Sequence, residues 1–125
     1  MWLFTRYGFF STACAQAAAF TPDPNLISIR ARRKEHLENL KRRFPALQEG
    51  EIQDSSGHDY RHRLTVPKSV WIDVVADLAE EQTWSYFKDE AAAYLKSGES
   101  EYLRVLDEVG TLTKRLQSGR GSSQR

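Results

Sequence analysis

Between Leu26 and Arg32 the chain alternates strictly, with Ile27, Ile29 and Ala31 on one side and Leu26, Ser28, Arg30 and Arg32 on the other. Period two with β-branched residues predicts a strand with one wet face. From Arg33 the period changes. Leu37, Leu40 and Phe44 recur at helical spacing and Pro45 halts the run, which predicts an amphipathic helix over 33–44. EIQD at 51–54 reads as a short strand and SSGH at 55–58 as a turn. Alternation returns in DYRHRLTV at 59–66, which sets Tyr60, His62, Leu64 and Val66 against Arg61, Arg63 and Thr65 before Pro67 ends it. Beyond it, Val70 or Trp71, Val74, Val75 and Leu78 mark a helix. Thr83 is placed to cap another through Trp84, Phe87, Ala91 and Leu95, broken at Gly98. A last helix carries Tyr102, Leu103, Leu106, Val109 and Leu116. The segment SGRGSSQR at 118–125 is small and polar, the composition of a disordered tail, which leaves 1–117 as a single α+β domain.

The opening stretch, MWLFTRYGFFSTACAQAAAF, has two readings. ACA and AQA would suit a signal-peptide cleavage site, but no basic residue precedes the apolar stretch and Arg6 interrupts it. Phe, Tyr, Trp and Thr suit a pleated, half-buried surface, so a first strand is the expectation. TPDPN at 21–25 then reads as a turn. The resulting order is strand, strand, helix, strand, strand, then two or three helices. A right-handed crossover places the helix on one face. The compact solution is a four-stranded antiparallel sheet of order 1-2-4-3, a ββαββα permutation of the ferredoxin-like sandwich, with the C-terminal helices on one face.

Composition narrows the function classes. The formal net charge is +1, so no global field drives binding to nucleic acid or to a membrane. The single Cys14 excludes an internal disulfide and a cysteine-based zinc site. No run approaches the ~18 apolar residues of a membrane span. Charge is nevertheless uneven: residues 30–43 hold seven Lys/Arg against two Glu, whereas residues 72–108 hold ten Asp/Glu against three Lys/Arg. Two such halves can neutralise each other within one molecule or between copies.

The most specific chemical feature follows from strand pairing. If the strands at 26–32 and 59–66 are neighbours, Arg30, Arg32, Arg61 and Arg63 share the face turned away from the helices. Guanidiniums so gathered repel one another unless an anion sits among them, and their planar forks match phosphate and carboxylate. Glu51, Asp54 or carboxylates of the C-terminal helices could supply that charge internally. Tyr7 or Phe9, if their side of the strand is the open one, could add a stacking surface for single-stranded RNA, and Tyr60 joins the arginines as an anion- or partner-binding candidate. His58 and His62 are four apart, about 13 Å along a strand, too far to share a metal ion. Cys14 reads as a small buried hydrophobe and Trp71, Trp84 and Phe87 as packing. No cofactor is implied.

MWLFTRYGFFS at the start, RAR at 30–32, DYRHR at 59–63, VPKSVW at 66–71 and WSYFK at 84–88 together resemble one family. It consists of small uncharacterised bacterial proteins that open with MW-apolar-F-T-x-x-GFFS. The resemblance runs from Met1 to about Leu116 and departs at Tyr86, where relatives read Asn, and at DEVGTL, which replaces an aromatic-containing segment. It implies an intact N-terminus and a bacterial cytoplasmic protein, and supplies no mechanism. The expected function is therefore a non-catalytic binding or interaction module using an arginine-bearing sheet face, with a homodimer or protein partner. The alternative is single-stranded nucleic-acid, nucleotide or other anion binding through Arg30, Arg32, Tyr60, Arg61 and Arg63. An enzyme acting on an anionic small molecule ranks last.

Overall fold

A computed structural model describes residues 1–17, 21–95 and 100–123, with side chains described through residue 117. The chain separates into two compact units, Met1–Ser85 and Tyr86–Arg125. The first contains strands β1 (Trp2–Thr5), β2 (Gly8–Gln16) and β3 (Pro22–Ala31), helix α1 (Lys34–Arg43), a 3-10 turn at Pro45–Leu47, strands β4 (Gln53–Asp54) and β5 (His62–Pro67), and helix α2 (Lys68–Glu80). The second contains α3 (Phe87–Leu95) and α4 (Ser100–Ser123), so α4 enters the segment read as a tail. The expected break at Gly98 and the last two residues of that tail lie outside the described residues.

The protein is α+β with an open antiparallel sheet, but the sheet has five strands in the order β1-β2-β3-β5-β4 rather than four in the order 1-2-4-3. The opening segment is the reason. Sixteen extended residues would run about 50 Å, well past the strand they pair with, and the chain folds back at Arg6-Tyr7 instead. Thr5 Oγ1 closes this hairpin by accepting the N–H groups of Tyr7 (3.1 Å) and Gly8 (3.2 Å) while donating to the Gly8 carbonyl (2.9 Å). Gly8 sits at φ +149°, and a Cβ there would meet His36 Cγ at 2.2 Å. His36, buried on α1, accepts the Phe9 N–H at Nδ1 (3.3 Å), and Asn39 one turn on donates to the Tyr7 carbonyl (3.1 Å).

Three further boundaries differ from expectation. PDPN belongs to β3, where a register jump after Cys14 leaves Pro24 and Asn25 out of the ladder and Asp23 Oδ1 accepts the Asn25 N–H. Pro24 is tolerated because the irregularity removes the need for its missing donor, and Pro22, in register with Gln16, because it is the first residue of the strand. β5 starts at His62, so Asp59, Tyr60 and Arg61 precede it and need not alternate with it. The helix after Thr83 begins only at Phe87.

The core lies between one sheet face and helices α1 and α2. Phe10, Ile27, Ile29, Ala31, Leu64 and Val66 meet Leu37, Leu40, Trp71 and Val74. Cys14 packs against this cluster. A carboxylate ties the hairpin to the helix ends. Glu81, its side chain only 10% exposed, accepts the Tyr7 hydroxyl (2.8 Å) and faces Arg43 (3.0 Å) and Arg6 (3.4 Å). Burial first, then the bond to Glu81, pushes the Tyr7 phenol above its ordinary value of 10. The Arg6 guanidinium also lies 5.1 Å from the Trp84 ring centroid. In the second unit, Ala91, Tyr102 and Leu106 are buried and Lys88 pairs with Asp107 (2.9 Å). No helix among the described residues is long and apolar enough to cross a membrane.

Candidate functional site

With both helices of the first unit on one face, the strands present the alternate residues on the other. Register makes this a straight row: Trp2 lies opposite Ser11, Ser11 opposite Arg30, Arg30 opposite Arg63, and Arg63 opposite Gln53. Each strand thus contributes one residue. At about 4.8 Å per strand the row is roughly 19 Å long. Phe4 and Phe9, themselves opposite, lie beside its β1–β2 end. Phe4 stacks on Phe9 (4.4 Å between centroids, 17°), Trp2 meets Phe9 edge-on (5.6 Å), and Tyr60 approaches Phe9 from the far side (6.3 Å). Trp2 is 67% exposed.

The expected arginine group is brought together only in part. Arg61 leaves it: lying outside β5, it forms a two-bond fork with Asp54 (2.8 and 3.0 Å). Arg32 is held by Asp59, donating to its carbonyl (2.8 Å) and carboxylate (3.2 Å), and covers the Tyr60 ring at 4.2 Å. Arg30 and Arg63 remain. Arg30 donates to the Ser11 carbonyl (3.3 Å) and hydroxyl (2.9 Å) and lies 5.2 Å from the Tyr60 centroid. Arg63 donates to the Tyr60 carbonyl (3.3 Å) and to His58 Nδ1 (3.3 Å). Among the described residues neither guanidinium has a carboxylate within ion-pair distance. Like charges directly opposite on neighbouring strands are destabilising. Tyr60, assigned by alternation to the helix side, instead sits buried with its ring beneath Arg30 and Arg32 and its carbonyl bonded by Arg63.

Arg30, Arg63, Ser28, Thr65, Gln53 and His58 line a concavity of about 520 Å³, closed along one side by Ala13–Gln16 of β2. Two guanidinium forks beside hydroxyl and amide groups suit an oxyanion. Comparison with known proteins returns no matching family model, curated protein or solved structure.

Sequence reasoning named the arginines, Tyr60 and Phe9 but missed Trp2, Phe4, Ser11, Gln53 and His58. The W-x-F spacing at residues 2–4 was the available signal, because period two puts both rings on one face. Tyr7, the other stacking candidate, points into the core instead.

The two internally matched arginines give a contrast. The Arg61 hydrogen bonds hold the Asp54 carboxyl below its usual 3.8. A depressed carboxylate contributes stability above that value, which is lost as pH falls through the folded-state value. Arg61→Gln is therefore expected to lower the melting temperature slightly at neutral pH, both side chains being more than half exposed. Thermal melts taken down to about pH 3 should show that deficit shrinking. A deficit that grows on acidification contradicts the assignment.

Proposed function

We propose that the protein is a non-catalytic binding module whose open sheet face holds an anionic partner. The observation that supports this is the Arg30–Arg63 pair, directly opposed on neighbouring strands with no carboxylate beside either among the described residues. Arg32 and Arg61 are matched by Asp59 and Asp54, so the fold supplies counter-charges where its own arginines need them. A negatively charged group in the concavity would offset the remaining repulsion and use both forks at once. The family resemblance of the opening and of RAR, DYRHR and WSYFK belongs to the same proposal, as does a bacterial cytoplasmic setting.

The test uses tripolyphosphate, a compact polyanion without a ring. At constant ionic strength it is expected to raise the melting temperature of the wild type, by the linkage between binding and folding. The double variant Arg30→Gln/Arg63→Gln should fold with an unchanged or slightly higher melting temperature and lose that response. A wild type that does not respond, or a double variant that responds equally, refutes the proposal. A variant that melts far below the wild type assigns the two arginines to the fold instead.

A further inference from the structure

We infer that the anionic partner is a single-stranded nucleic acid, its bases on Trp2 and the Phe4–Phe9 stack and its phosphates on Arg30 and Arg63. This rests on the anion-binding reading above and names the ligand class of the same face. The charges and Trp2 lie in one register row, with Phe4 and Phe9 beside it. Trp2 and Arg63 stand three strand spacings apart, about 14 Å, so a ligand that touches both needs a group that stacks and an anionic group at that separation, and a nucleic-acid strand carries both at every residue.

The rings are arranged for this use. A large aromatic two-thirds exposed on a strand is a poor use of apolar surface unless something covers it. Phe9 fixes the position of Trp2 by edge contact and that of Phe4 by stacking, so the platform is formed before any ligand arrives. Bases stack on such surfaces irrespective of sequence, because each has a π-face. A duplex hides those faces, which selects single strands. An acidic peptide would satisfy the arginines and leave the rings unused.

The probes are a labelled oligothymidine of about 12 nucleotides, within the range one sheet-based site covers, an abasic strand of the same length, the matching duplex and an oligouridine. Anisotropy titrations are expected to rank oligothymidine and oligouridine above both the abasic strand and the duplex. The two single strands against each other tell DNA from RNA. Trp2→Ala, at an exposed position, should keep the melting temperature and weaken oligothymidine binding about tenfold, with the abasic strand unaffected. Trp2→Phe should retain most of the affinity. Two phosphate contacts give a slope of about −1.4 in log K against log salt, each of Arg30→Gln and Arg63→Gln flattening it by about 0.7.

Equal binding of oligothymidine and abasic strand overturns the nucleic-acid inference while the anion reading stands. So does equal binding of duplex and single strand. If no strand binds and tripolyphosphate also fails, both readings fall. Light scattering that gives twice the chain mass at ~50 and ~500 mM salt, reverting to one chain in Trp2→Ala, makes this face a self-contact and overturns the inference.

Discussion

Gly8→Ala is expected to remove roughly 2–6 kcal/mol of folding stability, enough to leave the first unit partly unfolded at growth temperatures. Two causes act together. The backbone there has φ +149°, which a side chain rarely adopts, and the new methyl carbon would stand 2.2 Å from His36 Cγ. His36 has little room to retreat, being buried on α1 with Nδ1 engaged by the Phe9 N–H. Urea titration of the single and double variants with His36→Ala separates the causes. The double variant should recover the overpacking part, leaving the strain of the positive φ. A cost below about 1 kcal/mol for Gly8→Ala would mean that hairpin and helix are not so closely seated.

Glu81→Ala is expected to rank second, at roughly 2–4 kcal/mol. Removing one partner of a buried pair costs about 3–5 kcal/mol, and Arg43, 44% exposed, keeps access to water and reduces that figure. The substitution deletes the acceptor of the Tyr7 hydroxyl and the counter-charge to Arg6 and Arg43 together. Glu81→Gln should cost less, since an amide oxygen still accepts from the phenol. The urea midpoint should move without a change in slope. Burial of the Tyr7 phenol, and after it the same bond, shapes the alkaline limb. Below pH 10 the Tyr7 phenol is protonated in folded and unfolded chains alike, and its contribution is complete. As pH rises further the unfolded chain ionises first and the contribution drains away. Wild type should therefore lose stability above pH 10 faster than Tyr7→Phe. Parallel limbs would place the phenol elsewhere.

The parts of this protein that were legible in its sequence are those where burial dictates the period. Ile27, Ile29 and Ala31 on the core face against Ser28 and Arg30 on the other, and Leu37 and Leu40 on α1, fall where their spacing implies. The hairpin was not legible in that way. Trp2 to Phe10 is aromatic on both sides, one side filling the core and the other forming the exposed platform, so hydrophobicity carries no alternation to read. Only the Thr5 and Gly8 turn chemistry marks the reversal. Tyr60 and Arg61 escaped for a different reason. Alternation read from Asp59 runs three residues beyond the strand that enforces it, and outside the ladder the local partners of Tyr60 and Arg61, Arg32 and Asp54, decide direction. Pairing of arginines with Asp54 was anticipated, but which arginine it takes depends on the loop between β4 and β5.

The five-residue row from Trp2 to Gln53 draws one side chain from every strand. A slip of one residue in any strand would turn its member to the opposite face. Occupancy of the face is consequently a census of the whole sheet rather than of a local patch. The weakest voter is β4, only two residues long. Whenever β4 frays, Arg63 loses its Gln53 neighbour and one wall of the concavity opens. If the proposed anion binds here, its affinity is expected to scale with the fraction of molecules in which β4 is docked. A bound partner should in turn slow amide exchange at Gln53 and Asp54, at the opposite edge of the sheet from Trp2.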